Sequence, residues 1–141
     1  MILKLPLYVV LPRKKGDRKW ILNQNNYRNT HYLVLNNVKK IFAEKVKQAW
    51  HEEIYTECLL PLPQVNIKPP FIFVYTLYPD SNRRMDVSNV CSVVDKFTCD
   101  ALVELGIISD DNHKVISAIN YRFGKVDKEN PRVELEISEY R

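Results

Sequence analysis

The chain has 141 residues, of which 45% are apolar and 27% are charged. These proportions predict a single globular domain over residues 1–141 and exclude a disordered chain, a collagen-like repeat and a small disulfide scaffold. Only 3 glycines are present, and no Gly-x-Gly-x-x-Gly or Gly-Lys-Ser/Thr motif occurs, so a glycine-rich phosphate loop is excluded as well.

The net charge of +4 is unevenly distributed. Residues 1–56 contain 11 Lys and Arg against 4 Asp and Glu, a net charge of +7, whereas residues 57–141 contain 10 against 13, a net charge of −3. A basic half beside an acidic half is typical of an enzyme that holds a polyanion and acts on it with metal-binding carboxylates. Ordinary surface charge explains the same asymmetry equally well.

The cysteines Cys58, Cys91 and Cys99 are odd in number and have no zinc-site spacing. Neither a disulfide framework nor a structural zinc is therefore expected, and a reducing cytoplasm fits best. The apolar start of the chain is short and broken by Pro6 and Pro12, unlike a signal peptide. No stretch reaches the ~20 apolar residues of a membrane span, so no membrane partner is expected.

The first half of the chain predicts one strand, a long connection and one helix. Residues 3–11 are rich in Leu, Val and Tyr and indicate a strand. Residues 13–19 are predicted to be a basic loop, and residues 23–29, rich in Asn, a loop with turns. Thr30 is the predicted N-cap of a helix that ends near Ile54, because apolar residues recur there at intervals of three and four.

A proline-rich connection, residues 59–70, separates this helix from the next strand. Residues 71–78 are almost continuously apolar, which predicts a central strand covered on both faces. A second helix follows, with Ser88 as its predicted N-cap and Gly106 as the residue beyond its end.

Two more strands are predicted, over residues 115–123 and 132–140. In the second, apolar residues alternate with glutamates, so one face should contact water. Residues 124–131 are predicted to join the two strands as a hairpin loop. The order β-α-β-α-β-β predicts a mixed α+β fold, a small sheet of about four strands with two helices packed on one face.

Four carboxylates surround the second predicted helix: Asp86 before it, Asp95 on its polar face, and Asp110 and Asp111 in the loop after it. Helix ends and strand ends that meet at one sheet edge commonly form sites. Clustered carboxylates repel unless a cation neutralises them, and oxygen ligands favour Mg²⁺, with Mn²⁺ as a substitute. The alternatives are an ordinary polar helix face and an Asp-rich turn.

Basic residues accompany these carboxylates. Lys96 lies on the same helix face as Asp95 and is placed to contact a scissile phosphate, or else is a solvated lysine paired with Asp100. The other candidates for phosphate contacts are Arg13, Lys14, Lys15, Arg18, Lys19, Arg83 and Arg84. Such contacts provide affinity for DNA without reading its sequence, although basic loops also serve solubility alone.

The segment from residue 83 to residue 115 resembles the RusA-like Holliday junction resolvases of phage or prophage type. The family pattern is R-R-D-x-D-N, a helix with Lys, D-A-L, then a glycine and a paired D-D. Residues 22–32, L-N-Q-N-N-Y-R-N-T-H-Y, are also similar to phage-type members. The matching residues are Asp86, Asn89, Lys96, Asp100, Ala101, Leu102, Gly106, Asp110 and Asp111.

The resemblance implies a homodimeric, Mg²⁺-dependent crossover junction endodeoxyribonuclease. Such an enzyme resolves branched DNA by paired nicks during recombination and repair, in the cytoplasm of a bacterium or a phage-infected cell. It implies that Asp86 and Asp111 bind the metal within one coordination sphere, that Asp110 accompanies Asp111, and that Lys96 supports cleavage. The strands would supply aromatic surface for the dimer, namely Phe71, Phe73, Tyr75, Tyr78, Tyr121 and Phe123.

The sequence departs from the family pattern in two places. Ser88 stands where the pattern has a second aspartate, and residues 89–100 are about one helical turn longer than usual. Asp95 is the candidate replacement, as a metal ligand and catalytic residue. The alternatives are a non-catalytic DNA-binding module with the same fold and a small phage structural or adaptor protein.

Overall fold

The computed structural model describes residues 1–57 and 67–140. The fold is α+β, as predicted, and the predicted connection over residues 59–70 lies outside the described residues except for its last four. The elements are β1 (Ile2–Leu5), β2 (Tyr8–Leu11), β3 (Arg18–Ile21), α1 (Gln24–Asn29), α2 (Tyr32–Glu57), β4 (Phe71–Tyr78), α3 (Val87–Glu104), β5 (Ile116–Phe123) and β6 (Arg132–Glu139).

Four strands form the main sheet, in the order β1-β6-β4-β5. The strand β4 is central, as predicted, and it pairs with β5 in parallel and with β6 in antiparallel orientation. The strands β2 and β3 form a separate two-stranded sheet. Since β4 and β5 are parallel, the helix α3 is the crossover between them and runs in the opposite direction to both strands.

The core lies between the main sheet and the helices α2 and α3. The prediction that two helices pack on one face of the sheet is confirmed. Phe73 and Tyr75 of β4 point into the core and are fully buried. The prediction that these two side chains supply surface for a dimer is therefore wrong. Alternate residues of β4, such as Ile72 and Val74, are only half-buried. The prediction that this strand is covered on both faces is therefore wrong, because both long helices pack on one face.

The predicted first strand is two strands in two different sheets. Pro6 separates them, and because proline has no N–H to donate, the ladder does not continue through it. Arg18 and Lys19 lie in β3 rather than in a loop, paired with Leu11 and Val10 respectively. This strand was missed because only Trp20 among its residues is buried.

The Asn-rich segment predicted to be a loop is the helix α1. Asn23 is its N-cap, and its side-chain oxygen accepts a hydrogen bond from the N–H of Asn26 at 2.8 Å. Thr30 is not an N-cap: its hydroxyl donates to the carbonyl of Asn26 and accepts from the indole N–H of Trp20 at 3.1 Å. Asparagine thus serves here as a cap, whereas its abundance suggested a loop.

One helix boundary and one connection also differ from the prediction. Asp86, not Ser88, is the N-cap of α3, while Gly106 lies beyond the helix end with a positive φ of 74°, as predicted. Residues 124–131 are not a hairpin loop, since β4 lies between β5 and β6. They cross the end of β4, where the N–H of Gly124 donates to the carbonyl of Leu77 at 2.9 Å.

The two faces of β6 follow its alternating sequence as predicted, with Val133, Leu135 and Ile137 buried and Glu136 exposed. None of the helices in the described ranges combines the length and the apolar character needed to traverse a lipid bilayer.

Candidate functional site

The carboxylate of Asp95 joins α3 to two neighbouring strands. Its Oδ1 accepts hydrogen bonds from the hydroxyl of Tyr75 on β4 at 2.8 Å and from Sγ of Cys99 at 3.2 Å. Its Oδ2 accepts one from the hydroxyl of Tyr121 on β5 at 2.7 Å. Tyr75 and Tyr121 are directly paired in the parallel ladder, so a single carboxylate between them fixes the middle of the helix over the middle of both strands.

These donors remain protonated at neutral pH. Burial, followed by the nearby Cys99 and Asp95, raises the pKa of Tyr75 well above its ordinary value. Burial and the hydrogen bond to Asp95 likewise raise the pKa of Tyr121. Burial and the charge of Asp95 raise the pKa of Cys99, and the charge of Asp111 adds a smaller contribution. Cys99 is therefore a packed thiol rather than a nucleophile.

The polar residues in the first turns of α3 bind α1 through hydrogen bonds. The backbone N–H of Gln24 donates to Oδ1 of Asn89 at 3.0 Å, and its side-chain amide donates to Oγ of Ser92 at 2.7 Å. The ring of Tyr27 lies 5.9 Å from that of Phe97. The two segments that carry the family resemblance are thus in contact, although more than 50 residues separate them in sequence.

At the start of α3, Asp86 is exposed and engaged with Ser88. Its Oδ1 accepts from the backbone N–H of Ser88 at 3.1 Å and from the Ser88 hydroxyl at 2.9 Å. Arg83 and Arg84 are exposed just before it. Ser88, which stands where the family pattern has an aspartate, therefore acts here as a partner of the helix cap.

Beyond the other end of α3, Asp110 and Asp111 line an open cavity of about 530 Å³. Lys39 and Lys40 of α2 line the same cavity, with Asp100 and other residues of α3. The carboxylate of Asp110 is tied up in its own loop, because it accepts from the N–H of Asp111 at 2.7 Å and from the side-chain amide of Asn112. These hydrogen bonds lower the pKa of Asp110 below its ordinary value.

The four predicted metal ligands do not converge. Asp86 follows β4, whereas Asp110 and Asp111 precede β5. Because these strands are parallel, the two positions lie at opposite ends of the strands. The 18 residues of α3 span about 27 Å between them. The prediction that Asp86 and Asp111 share one coordination sphere is wrong for this structure.

Within residues 1–57 and 67–140, no group of three or more His, Cys, Asp or Glu side chains is arranged to hold a metal ion. Both oxygens of Asp95 already accept hydrogen bonds. The four residues therefore do not fit a preformed four-carboxylate centre. Both oxygens of Asp110 also accept hydrogen bonds. Asp111 therefore fits a weaker mode with Asp110 beside it, since Mg²⁺ commonly keeps several waters and takes one or two carboxylates together with substrate phosphates.

The predicted phosphate-binding residues fall into two groups. Arg13 lines a cleft of about 480 Å³ beside α2, together with Lys40. Lys14 and Lys15 are exposed in the adjoining loop, and the ammonium of Lys19 lies over the ring of Tyr8 at 4.1 Å. This group comprises Arg13, Lys14, Lys15, Arg18 and Lys19, whereas Arg83 and Arg84 lie at the start of α3.

Lys40 lines both the cleft of Arg13 and the cavity of Asp110 and Asp111, so one basic surface reaches the acidic loop. Sequence reasoning missed Lys39 and Lys40, whose signal was their position off the apolar stripe of α2. Lys96 is exposed, and no ion pair joins it to Asp100 in the part of the chain that the structure describes.

No protein-family model matches the chain, and no curated protein matches its sequence.

Proposed function

We propose that the chain is a Mg²⁺-dependent endodeoxyribonuclease that resolves Holliday junctions or other branched DNA by paired nicks. One observation carries the proposal: Lys39 and Lys40 line one cavity with Asp110 and Asp111, and Lys40 connects that cavity to the cleft of Arg13. Phosphate-binding cations beside paired carboxylates are what hydrolysis of a DNA backbone requires. The family resemblance of residues 83–115 points to the same activity.

Each group has a distinct task in this proposal. Lys39 and Lys40 attract a backbone phosphate into the cavity and neutralise charge that develops on it. Asp111, with Asp110 held beside it, provides the carboxylate oxygens for Mg²⁺ or Mn²⁺. An ion held by these oxygens would supply an activated water and would stabilise the leaving oxygen. Asp95 is assigned a positioning role, since it fixes α3 against the strands through its tyrosine partners.

Paired nicks require two sites related by a two-fold axis, which a homodimer provides with one gene product. A four-way junction has the matching approximate symmetry. The free, buried thiols of Cys91 and Cys99 suit the reducing cytoplasm of a bacterium or a phage-infected cell. Arg83 and Arg84, at the far end of α3, are assigned to phosphates of a second arm of the junction.

A nicking assay on a labelled four-way junction, with Mg²⁺, Mn²⁺ or EDTA, tests the activity. Asp111→Asn should abolish cleavage but leave binding intact or tighter, because it removes a metal ligand and a negative charge. Glu129→Gln is the matched control, since Glu129 is exposed on a different loop and should leave cleavage unchanged. Cleavage by Asp111→Asn at the wild-type rate would show the assignment to be wrong.

The second candidate is a non-catalytic DNA-binding module. It is favoured by the state of Asp95, whose two oxygens already accept hydrogen bonds from Tyr75, Cys99 and Tyr121, and by Ser88 in place of an aspartate. It predicts junction binding that persists in EDTA, with no nick in either metal. A chain without salt-dependent binding to DNA would instead favour the adaptor interpretation.

A further inference from the structure

Two neighbouring side chains at the start of α2 are unusually exposed. Tyr32 is 65% exposed and Leu33 is 57% exposed, more than any other large apolar side chain of the described residues. Single exposed apolar residues are common, but an adjacent aromatic and aliphatic pair on one helical turn is a potential binding surface.

The pair is held in a fixed arrangement. The His31 ring lies 4.6 Å from the Tyr32 ring, and Nδ1 of His31 accepts from the backbone N–H of Leu33 at 3.2 Å. The preceding residue, Thr30, accepts from the indole of Trp20, which is fully buried. Because the corner between α1 and α2 is tied to the core, little conformational entropy is lost when Tyr32 meets a ligand.

The stretch of sequence that contains this pair is positively charged, and two of its cations, Lys39 and Lys40, line the cavity of Asp110 and Asp111. Between Asp17 and Glu44 the chain contains no acidic residue, while it contains five cations: Arg18, Lys19, Arg28, Lys39 and Lys40. Arg28 is exposed in the last turn of α1, and Val34, the residue after Leu33, lines the cleft of Arg13 and Lys40. An aromatic ring beside cations can stack on the bases of a nucleic acid while the cations contact its phosphates.

We propose that Tyr32, supported by His31 and Leu33, is a stacking platform for an unpaired nucleobase. The proposal deepens the proposed function, because it rests on DNA as the ligand of the basic half. In a duplex the faces of the bases are covered by their neighbours, whereas a base that is unstacked at a branch point or in a single strand has a free face. Stacking on an aromatic side chain is tolerant of base identity, so the platform would recognise structure rather than sequence.

Binding measurements in EDTA test the platform without any cleavage. Dissociation constants are measured for a single-stranded oligonucleotide, for the same sequence as a perfect duplex, and for a four-way junction. Tyr32→Ala should weaken single-strand binding roughly 5- to 150-fold, the range for loss of one stacked base, with less than about a twofold change on duplex. Tyr32→Phe should retain wild-type affinity, because it keeps the ring.

Tyr140→Ala is the matched control, because Tyr140 is also half-exposed, at 50%, and lies beyond the end of β6. It should change none of the three constants. Equal losses on duplex and single strand, a Tyr32→Phe variant as weak as Tyr32→Ala, or no loss at all would each overturn the platform. A Tyr32→Ala effect on sedimentation alone would overturn it in favour of a contact between copies of the chain.

The outcomes separate this proposal from the nuclease proposal. A selective Tyr32→Ala defect in a protein that never nicks DNA supports the platform and overturns the nuclease. Metal-dependent nicking by a protein whose single-strand affinity is unchanged by Tyr32→Ala supports the nuclease and overturns the platform.

Discussion

Replacing Asp95 by alanine tests whether this carboxylate positions α3. The change removes the acceptor of Tyr75, which is fully buried and whose other hydrogen-bond partner among the described residues is Sγ of Cys99 at 4.0 Å. A hydrogen bond to a charged group contributes about 1.5–3 kcal/mol, and an orphaned buried hydroxyl costs about 1–3 kcal/mol. Because Tyr121 also loses its acceptor in this variant, we expect the free energy of unfolding to fall by about 2–5 kcal/mol.

A double-mutant cycle in urea unfolding gives the decisive measurement. Tyr75→Phe removes the donor that Asp95→Ala would orphan, so Asp95→Ala should cost about 1–2 kcal/mol less in the Tyr75→Phe background than in the wild type. Tyr121→Phe should be milder, since Tyr121 is only half-buried. An Asp95→Ala protein within about 0.5 kcal/mol of the wild type would refute the positioning role. If that variant were as stable as the wild type without metal, and if Mg²⁺ stabilised the wild type but not the variant, Asp95 would instead be a metal ligand.

Three other outcomes are expected. Burial and the charge of Asp95 raise the pKa of Cys91 from 9.0 to about 12, so the stability that the protonated Cys91 thiol contributes is complete below pH 9 and the free energy of unfolding should fall as the pH rises from 9 to 12. Urea midpoints across that range check this, and Cys91→Ala should make the fall less steep without removing it, because the raised pKa of Cys99 acts in the same direction. Gly124→Ala should destabilise by about 1–3 kcal/mol in thermal unfolding, because the added Cβ would lie 2.6 Å from the Tyr78 ring; a wild-type melting temperature would contradict that reasoning. Sedimentation should show a dimer, alone or on a junction, and a strictly monomeric species would reject paired nicking.

Periodicity in the sequence was sufficient to predict the long elements. The run over residues 71–78 predicted β4 to the residue, and the apolar stripes predicted most of α2 and α3. These signals are reliable because burial imposes them locally, at 3.6 residues per helical turn or two per strand repeat. The short elements β3 and α1 were missed because each contributes few buried side chains, Trp20 in the first case and none in the second.

The order of strands in the sheet was beyond the same reasoning. Alternation in the last two strands reports which face is buried, but not which strand lies alongside, so two consecutive strands were interpreted as a hairpin. In the structure β6 pairs with β4 and β1 instead. The parallel pairing of β4 with β5 also places Asp86 far from Asp110 and Asp111. The sequence suggested that these carboxylates were close, because they flank one helix.

The polar face of α3 shows why residue type alone did not locate the site. Asn89 and Ser92 bind α1, and Asp95 binds two tyrosines and a cysteine, so much of that face is committed to holding the fold. Lys96 and Asp100 remain exposed on it. Since exposed polar groups are the ones available to a ligand, the part of α3 open to a ligand is its second half, where Asp100 lines the cavity shared with α2. A polar stripe along a helix is thus the sum of two different surfaces, one that positions the helix and one that stays exposed and, in the proposed function, meets the substrate.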